Sequence, residues 1–117
     1  MRKNASAKTI LKEVRRCVEK NDMDFYSIST DVENEVCCPR GLIAGIMGEN
    51  RRIFEAPLDK NACKALEALD KVGMDLGAIP SNDAPGDYAE GYARKIYNKR
   101  NKNKLSLAFI DKAIELV

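Results

Sequence analysis

The sequence predicts a single mainly α domain of four or five short helices over residues 1–117, with a small two-stranded β element as an optional addition. Apolar residues recur at helical spacing in five segments, and turns rich in Gly, Pro, Asn and Asp separate most of these segments. A chain of 117 residues with 44% apolar and 32% charged residues is long enough for one modest core, and it contains no linker that would divide two domains.

The first predicted helix covers residues 6–20. Ser6 is suited to cap its N-terminus, because a serine oxygen can accept a hydrogen bond from an N–H of the first turn. One face is apolar and the opposite face is basic, as expected of an amphipathic helix at a protein surface. The apolar face holds Ile10, Leu11, Val14, Cys17 and Val18, and the basic face holds Lys8, Lys12, Arg15, Arg16 and Lys20.

Residues 22–35 fit neither a helical nor a strand period. They contain five acidic residues and no Lys or Arg. Phe25, Tyr26 and Ile28 indicate either a short strand or an anchored loop. The extended segment 52–55 is a candidate partner for a strand around Phe25.

A second short helix is predicted from Pro39, because proline lacks the N–H that would have no partner at the first helical position. Gly41 and Gly45 lie on one face, which predicts close approach of another helix backbone, and Gly48 is suited to a left-handed C-terminal position. We expect at least one of the two cysteines before Pro39 to be buried with the apolar face, which consists of Leu42, Ile43, Ile46 and Met47.

Three further helices are predicted in the second half of the chain. Asp59 caps the first of them, and Gly73 ends it. The next begins near Pro85 and is followed by a loop over residues 98–104. Residues 105–117 form the last amphipathic helix, whose apolar face holds Leu105, Phe109, Ile110, Ala113, Ile114 and Val117.

The composition excludes several kinds of chemistry. The chain has no histidine, so neither a Ser-His-Asp or Cys-His nucleophile nor imidazole metal ligation is available. Its four cysteines lack the spacing of a disulfide framework or a zinc knuckle, so we expect reduced thiols and no bound metal or cofactor. The weakest alternative is an enzyme that uses a thiolate of Cys37 or Cys38 beside Arg40, or a carboxylate pair such as Asp83 and Asp87.

Hydropathy predicts a protein that stays out of the membrane. The longest uncharged apolar run, residues 41–48, is less than half of a membrane span, and the N-terminus lacks a hydrophobic signal core. We therefore expect a cytoplasmic location.

Charge is segregated along the chain, although the net charge is only +2. The first twenty residues hold seven basic and two acidic residues, residues 22–35 hold five acidic residues, and residues 94–104 hold six basic residues. Such segments either neutralise one another within the fold or offer complementary patches to a partner. We predict a non-enzymatic interaction protein that binds a protein partner through these patches, and we leave a homo-oligomer open.

The basic segment 94–104 supports an alternative function. Six cations and one aromatic residue without an acid are typical of a loop that contacts phosphates, although a solvated loop balanced by acidic surface elsewhere has the same composition. The alternative prediction is a nucleic-acid-binding module. The candidate residues for binding either kind of partner are Arg94, Lys95, Tyr97, Lys99, Arg100, Lys102 and Lys104.

Two separated motifs carry a resemblance to a family. Cys38 and Gly41 fall on a W-C-x-x-G-A-L type motif, and Tyr97-Asn98 with the helix over residues 109–114 falls on a W-N-D motif followed by a helix. In these motifs the chain resembles a family of small uncharacterised bacterial and phage proteins, known as a domain of unknown function. The resemblance implies a compact, mostly helical fold and a phage or mobile-element origin. The chain departs from the family pattern at Tyr97, where the family has Trp, and at Lys99, where it has Asp.

Overall fold

The mainly α prediction is confirmed. A computed structural model describes residues 5–27, 29–48, 59–82 and 84–117 of the chain. Within these ranges the chain forms five helices, namely α1 (Ala7–Asn21), α2 (Pro39–Ile46), α3 (Lys60–Asp75), α4 (Asp87–Ile96) and α5 (Lys102–Glu115). None of these helices is both long enough and apolar enough to cross a bilayer.

Three helix starts follow from local sequence chemistry. Ser6 Oγ accepts a hydrogen bond from the Thr9 N–H at 3.2 Å, and Asp59 Oδ1 accepts one from the Ala62 N–H at 2.7 Å. Pro39 occupies the first turn of α2, as its missing N–H predicts. The two capping hydrogen bonds satisfy N–H groups that have no partner inside their own helix. Pro39 has no N–H, so at its position none is left without a partner.

The core lies between α1, α3 and α5, which pack on one another, while α4 packs mainly on α3 and α2 on α1. Most residues of the predicted apolar faces point inward, and Ile10, Leu69 and Phe109 are almost completely buried. Each such side chain stabilises the fold by about 1.5–3 kcal/mol relative to an exposed one. The rings of Tyr92 and Phe109, whose centroids are 4.4 Å apart, join α4 to α5.

In the last helix the prediction of an apolar face is wrong for Val117, which is exposed and follows the end of α5. Leu105 and Ile114 of the same predicted face are half-buried.

Helix α2 is largely buried, as predicted, but Met47 is only half-buried. Gly41 and Gly45 do permit a close backbone approach, yet the approaching segment is not a helix. A Cβ on Gly41 would clash with the carbonyl oxygen of Ser29, and a Cβ on Gly45 would clash with that of Thr30. The loop between α1 and α2 therefore packs directly on α2. Its backbone can approach this closely because neither glycine carries a side chain, which is the same condition that close packing of a second helix would require.

Two predicted boundaries are wrong. Helix α3 continues through Gly73 to Asp75, and Gly77 adopts the left-handed conformation instead, with φ of 79°. Gly73 serves packing, because a Cβ there would lie 2.6 Å from the carbonyl oxygen of Tyr88 in α4. Helix α5 begins at Lys102, so residues 102–104 belong to a helix and not to the predicted loop.

The β element is reduced, in the part of the chain that the structure describes, to one isolated parallel bridge between Met23 and Cys37. The predicted strand partner, residues 52–55, lies outside the described residues, as does Ile28. Of the two predicted alternatives for this segment, a short strand or an anchored loop, residues 22–27 therefore form the anchored loop.

Candidate functional site

The seven predicted binding residues surround the connection between α4 and α5. Arg94 and Lys95 lie in the last turn of α4, and Lys102 and Lys104 lie in the first turn of α5. The turn between them, residues 97–101, is closed by hydrogen bonds from the Lys99 N–H to the Ile96 carbonyl at 2.9 Å and from the Lys102 N–H to the Lys99 carbonyl at 3.3 Å. We call residues 97–101 the basic turn.

Arg94 and Lys95 have structural contacts that the sequence did not suggest. Arg94 donates a hydrogen bond to the carbonyl oxygen of Ile79 at 2.7 Å, and Lys95 donates one to that of Leu76 at 2.7 Å. Both carbonyls belong to the connection between α3 and α4. These two cations therefore hold that connection against α4 while remaining exposed to solvent.

Three aromatic rings meet beside the basic turn. Tyr26 lies edge-to-face with Phe25 and also with Tyr97, and each pair of ring centroids is 4.8 Å apart. We call Phe25, Tyr26 and Tyr97 the aromatic cluster. Sequence reasoning included Tyr97 among the binding residues but missed the other two, because it placed them in a separate acidic segment.

Two cations lie over rings of this cluster. The Arg94 guanidinium is 5.5 Å from the centroid of Phe25, and the Lys102 ammonium is 5.6 Å from that of Tyr97. Both distances fall within the range of cation–π attraction. The aromatic cluster together with Arg94, Lys99, Arg100, Lys102 and Lys104 forms what we call the aromatic–basic surface.

Local hydrogen bonds hold Tyr26 in its turn. Its N–H donates to Asp24 Oδ1 at 2.9 Å, and the Asp24 N–H donates to the carbonyl oxygen of Cys37 at 3.1 Å. An aspartate that accepts a hydrogen bond two residues ahead stabilises a tight turn. The hydroxyl of Ser27 also donates to the carbonyl oxygen of Val36.

Asn103 brings the two halves of the surface together. Its Nδ2 donates to the carbonyl oxygen of Val18 at 2.9 Å and to Asp22 Oδ1 at 2.8 Å. These contacts tie the first turn of α5 to the last turn of α1. The loop that follows α1, including Tyr26, is thereby placed next to the basic turn.

The segregated charges partly neutralise one another inside the fold. Glu33 of the acidic segment pairs with Arg16 at 2.6 Å and with Lys20 at 3.4 Å, both on α1. Lys102 lies 4.0 Å from Asp24, another acid of that segment. Two of the five acids of the segment, Asp24 and Glu33, are therefore already paired with the chain's own cations.

Three cations of the basic segment differ from these. Lys99, Arg100 and Lys104 are exposed and form no ion pair with any residue in the described ranges. They also crowd the N-terminus of α5, whose first turn holds no acidic residue and whose N-cap, Asn101, forms no side-chain capping hydrogen bond. Positive charge at a helix N-terminus opposes the helix dipole, so this arrangement is locally unfavourable.

The two adjacent cysteines lie in a different environment, at the start of α2. Cys38 is 3% exposed, and its sulfur accepts a hydrogen bond from the Gly41 N–H at 3.3 Å. Burial and the neighbouring Glu90 raise its pKa to about 12, and burial raises the pKa of Cys37 to about 11. Both thiols are therefore protonated at neutral pH, whereas a nucleophilic cysteine requires a lowered pKa.

The half-buried Asp70 and the buried Glu90 act as caps at the junction of α2, α3 and α4. Asp70 of α3 accepts hydrogen bonds from the N–H groups of Gly86 at 2.6 Å and Ala89 at 3.0 Å, at the start of α4. Glu90 of α4 accepts one from the Arg40 N–H at 3.1 Å, in the first turn of α2. Neighbouring helices thus satisfy each other's unpartnered N–H groups, which is a structural role.

Asp87 does not cap α4, whose N-cap is Gly86 without a side-chain capping hydrogen bond; instead it holds the turn that precedes the helix. Its Oδ2 accepts a hydrogen bond from the Asn82 N–H at 2.7 Å, and its Oδ1 lies 3.8 Å from Nη2 of Arg40. Asp83, the other member of the predicted carboxylate pair, lies outside the described residues.

One group of side chains offers atoms at the spacing of metal ligands. Glu13, Cys17 and Glu33 each place one such atom within 4.8 Å of the others. The Arg16 guanidinium already donates to both of these carboxylates. Burial also raises the pKa of the Cys17 thiol, so a cation would have to displace the guanidinium and a thiol proton together. All four cysteines of the chain are free thiols in the structure.

A second basic area lies away from the basic turn. An open cleft of about 550 Å³ runs between the start of α1, one face of α3 and the last residues of the chain, and Lys8, Lys64 and Lys71 line it. It contains no aromatic side chain. Glu67 also lines the cleft. Its three lysines equal in number the exposed cations of the basic segment that have no ion pair among the described residues, namely Lys99, Arg100 and Lys104.

Comparison of the chain with protein-family models, curated proteins and solved structures finds no match. The resemblance to the family of small bacterial and phage proteins therefore stays a prediction.

Proposed function

We propose that this protein is a non-enzymatic binding protein that holds nucleic acid on the aromatic–basic surface. The observation that carries the proposal is the state of Lys99, Arg100 and Lys104. These side chains face solvent without an ion pair among the described residues. The three lysines of the cleft, Lys8, Lys64 and Lys71, do so as well, but Lys99, Arg100 and Lys104 adjoin the aromatic cluster, and no aromatic side chain lines the cleft. Phosphate groups are the anions that such a group of cations would attract most strongly in a cell.

The energetics of α5 support a bound anion. Basic residues in its first turn and in the basic turn oppose the helix dipole by about 0.3–1 kcal/mol per charge. A local conflict of this kind is expected where a sequence serves function at the expense of stability. A phosphate placed near the start of α5 would interact favourably with the cations and the dipole at once.

The protein-partner hypothesis remains a second prediction. It depends on charged patches that are free to meet a partner, and the pairing of Glu33 with Arg16 and Lys20 leaves fewer such charges than the sequence suggested. The exposed acids Asp31 and Glu35 and exposed apolar side chains such as Met74 and Ile79 are among the groups that a protein partner could contact. A homo-oligomer, a phage or mobile-element origin and a cytoplasmic location are likewise predictions.

The test compares two triple variants that carry the same net charge. Lys99→Ala, Arg100→Ala and Lys104→Ala together remove three cations from the aromatic–basic surface, and Lys8→Ala, Lys64→Ala and Lys71→Ala together remove three from the cleft. Binding of short labelled DNA and RNA oligonucleotides is measured by fluorescence anisotropy across a salt series. We expect the first variant to lose most of its affinity at low salt and the second to keep most of it.

Two results would overturn the proposal. One is a wild-type protein that binds neither DNA nor RNA at about 50 mM salt, where phosphate contacts are strong. The other is an equal loss of affinity in both triple variants, because that would attribute binding to overall charge instead of this surface.

A further inference from the structure

The exposure of Tyr26 indicates which class of ligand the aromatic–basic surface would accept. This side chain is 69% exposed, whereas Phe25 and Tyr97, which it touches, are half-buried. A large exposed ring among packed aromatic neighbours offers apolar area that water contacts and a ligand could cover.

The ring of Tyr26 is also held in place before any ligand arrives. It meets Phe25 at an interplanar angle of 66° and Tyr97 at 85°, so it is supported on two sides by edge-to-face contacts. Its backbone is fixed by the hydrogen bond to Asp24. Because little conformational freedom remains to be lost, binding to this ring would have a small entropic cost.

The other two rings of the cluster already have cations over them. Arg94 lies over Phe25, and Lys102 lies over Tyr97. The structure gives Tyr26 no such cation among the described residues. Tyr26 is therefore the ring of the cluster that is most open to a planar ligand, and the cations beside it are placed for the charge that such a ligand carries.

A base can stack on a protein ring only when it is not already stacked between two base pairs. Duplexes present phosphates and groove edges to a protein surface, and their base faces are hidden. Unpaired bases expose both faces, and stacking on aromatic side chains with cations along the backbone is the usual way in which single strands are bound without sequence preference.

Resting on the proposed function, we infer that the ligand is a single-stranded nucleic acid, with one unpaired base stacked on Tyr26 and the adjoining phosphates on Lys99, Arg100 and Lys104. The chemistry recognised is a planar base next to a phosphodiester, which DNA and RNA share. The experiment therefore includes both.

The test replaces the ring without changing the charge. Tyr26→Leu removes the aromatic face, Tyr26→Phe keeps it, and Ile79→Ala is the control for an exposed apolar side chain outside the cluster. We expect Tyr26→Leu to weaken binding of single-stranded DNA or RNA by about 5- to 150-fold, the range typical for loss of one stacked base. Tyr26→Phe and Ile79→Ala should stay within about twofold of wild type, which is less than a stacking contact contributes.

A second probe compares ligands on wild-type protein, so its main result does not depend on how any variant folds. Wild-type protein is titrated with a single strand, with the duplex of the same sequence, and with an abasic strand that has the same phosphates but no bases. We expect the single strand to bind more tightly than the other two. Tyr26→Leu should reduce this preference, and its far-ultraviolet circular dichroism should match that of wild type.

The outcomes separate this inference from the proposed function. If single strand, duplex and abasic strand bind wild type equally and Tyr26→Leu changes nothing, while the Lys99, Arg100 and Lys104 variant loses binding, the stacking inference is overturned and nucleic-acid binding stands. If no nucleic acid binds wild type at low salt, the proposed function fails and the inference fails with it.

Discussion

At the scale of single residues, Lys104 illustrates a conflict between stability and binding. It is the third residue of α5, a position at which a carboxylate interacts favourably with the unpartnered N–H groups of the first turn. A lysine there contributes nothing of that kind and adds to the positive charge of Lys99 and Arg100. Its presence is explained if the first turn of α5 serves to attract an anion.

Lys104→Glu should therefore stabilise the protein and weaken binding at the same time. We expect the free energy of unfolding to rise by about 0.6–2 kcal/mol, because the substitution removes one unfavourable charge and adds one favourable charge at the helix end, and each contributes about 0.3–1 kcal/mol. Urea unfolding followed by circular dichroism measures the stability, and oligonucleotide titration measures the affinity.

Lys112→Glu is the matched control, because Lys112 is exposed in the last turn of the same helix. The charge change is identical, but at this end of the helix a carboxylate opposes the dipole, so stability should fall. Equal effects of the two substitutions on affinity would contradict the assignment of binding to the first turn of α5.

At the scale of elements, α2 is a short helix that is held in place by the loop packed on its glycine face. Its two helical glycines lie against the carbonyl groups of Ser29 and Thr30, so the loop that carries Tyr26 and the acidic segment cannot move away from α2 without opening a gap. The helix is only eight residues long, too short to be stable by itself.

Gly45→Ala should destabilise the fold by about 1–3 kcal/mol, because the added methyl group overlaps the carbonyl of Thr30 and the side chain of Val32. Chemical unfolding measures the change. Gly48→Asn is the control, because Gly48 has a φ of 77° that Asn tolerates, and a Cβ there would meet no atom of the described residues within 4 Å. A Gly45→Ala protein as stable as wild type would show that the loop does not pack on α2 in this way.

The junction of α2, α3 and α4 should respond to pH. Burial raises the pKa of Glu90, and hydrogen bonds from Arg40 and Cys38 offset only part of that shift. The folded state therefore holds the proton of Glu90 more tightly than the unfolded state does. The resulting stabilisation is present at pH values below about 4, and it is lost as the pH rises through the folded-state pKa.

Glu90→Gln keeps an acceptor for the Arg40 N–H but does not titrate. Relative to wild type, the variant should become more stable as the pH is raised from about 4 to 7. Denaturant unfolding at a series of pH values measures this difference. Glu33→Gln should show the opposite trend, because hydrogen bonds from Arg16 lower the pKa of Glu33. The same trend in both variants would contradict the burial of Glu90.

At the scale of the whole molecule, the sequence predicts what depends on local spacing. The five helices, the caps at Ser6 and Asp59 and the buried face of α2 all follow from periodicity and from the chemistry of single positions. Periodicity and composition predict a helix end at Gly73, because glycine often marks one. Its actual role, close packing against Tyr88, depends on a neighbour that periodicity does not specify.

The aromatic–basic surface was only half predictable for the same reason. The basic run 94–104 is visible in the sequence, but its aromatic component comes from Phe25 and Tyr26, far away along the chain. Asn103 and the turn at Asp24 bring the two together. An adjacent aromatic pair in a segment without a period was the available signal, since exposed aromatic residues in loops often bind ligands.

The most direct test of the central claim is the salt dependence of oligonucleotide binding by the two triple variants. Each phosphate contact contributes about 0.7–0.9 to the slope of log affinity against log salt, so loss of Lys99, Arg100 and Lys104 should reduce the slope by about 2–3. Loss of Lys8, Lys64 and Lys71 should leave the slope within about one contact of wild type. Equal slopes for the two variants would contradict the claim that the basic turn and the start of α5 hold the phosphates.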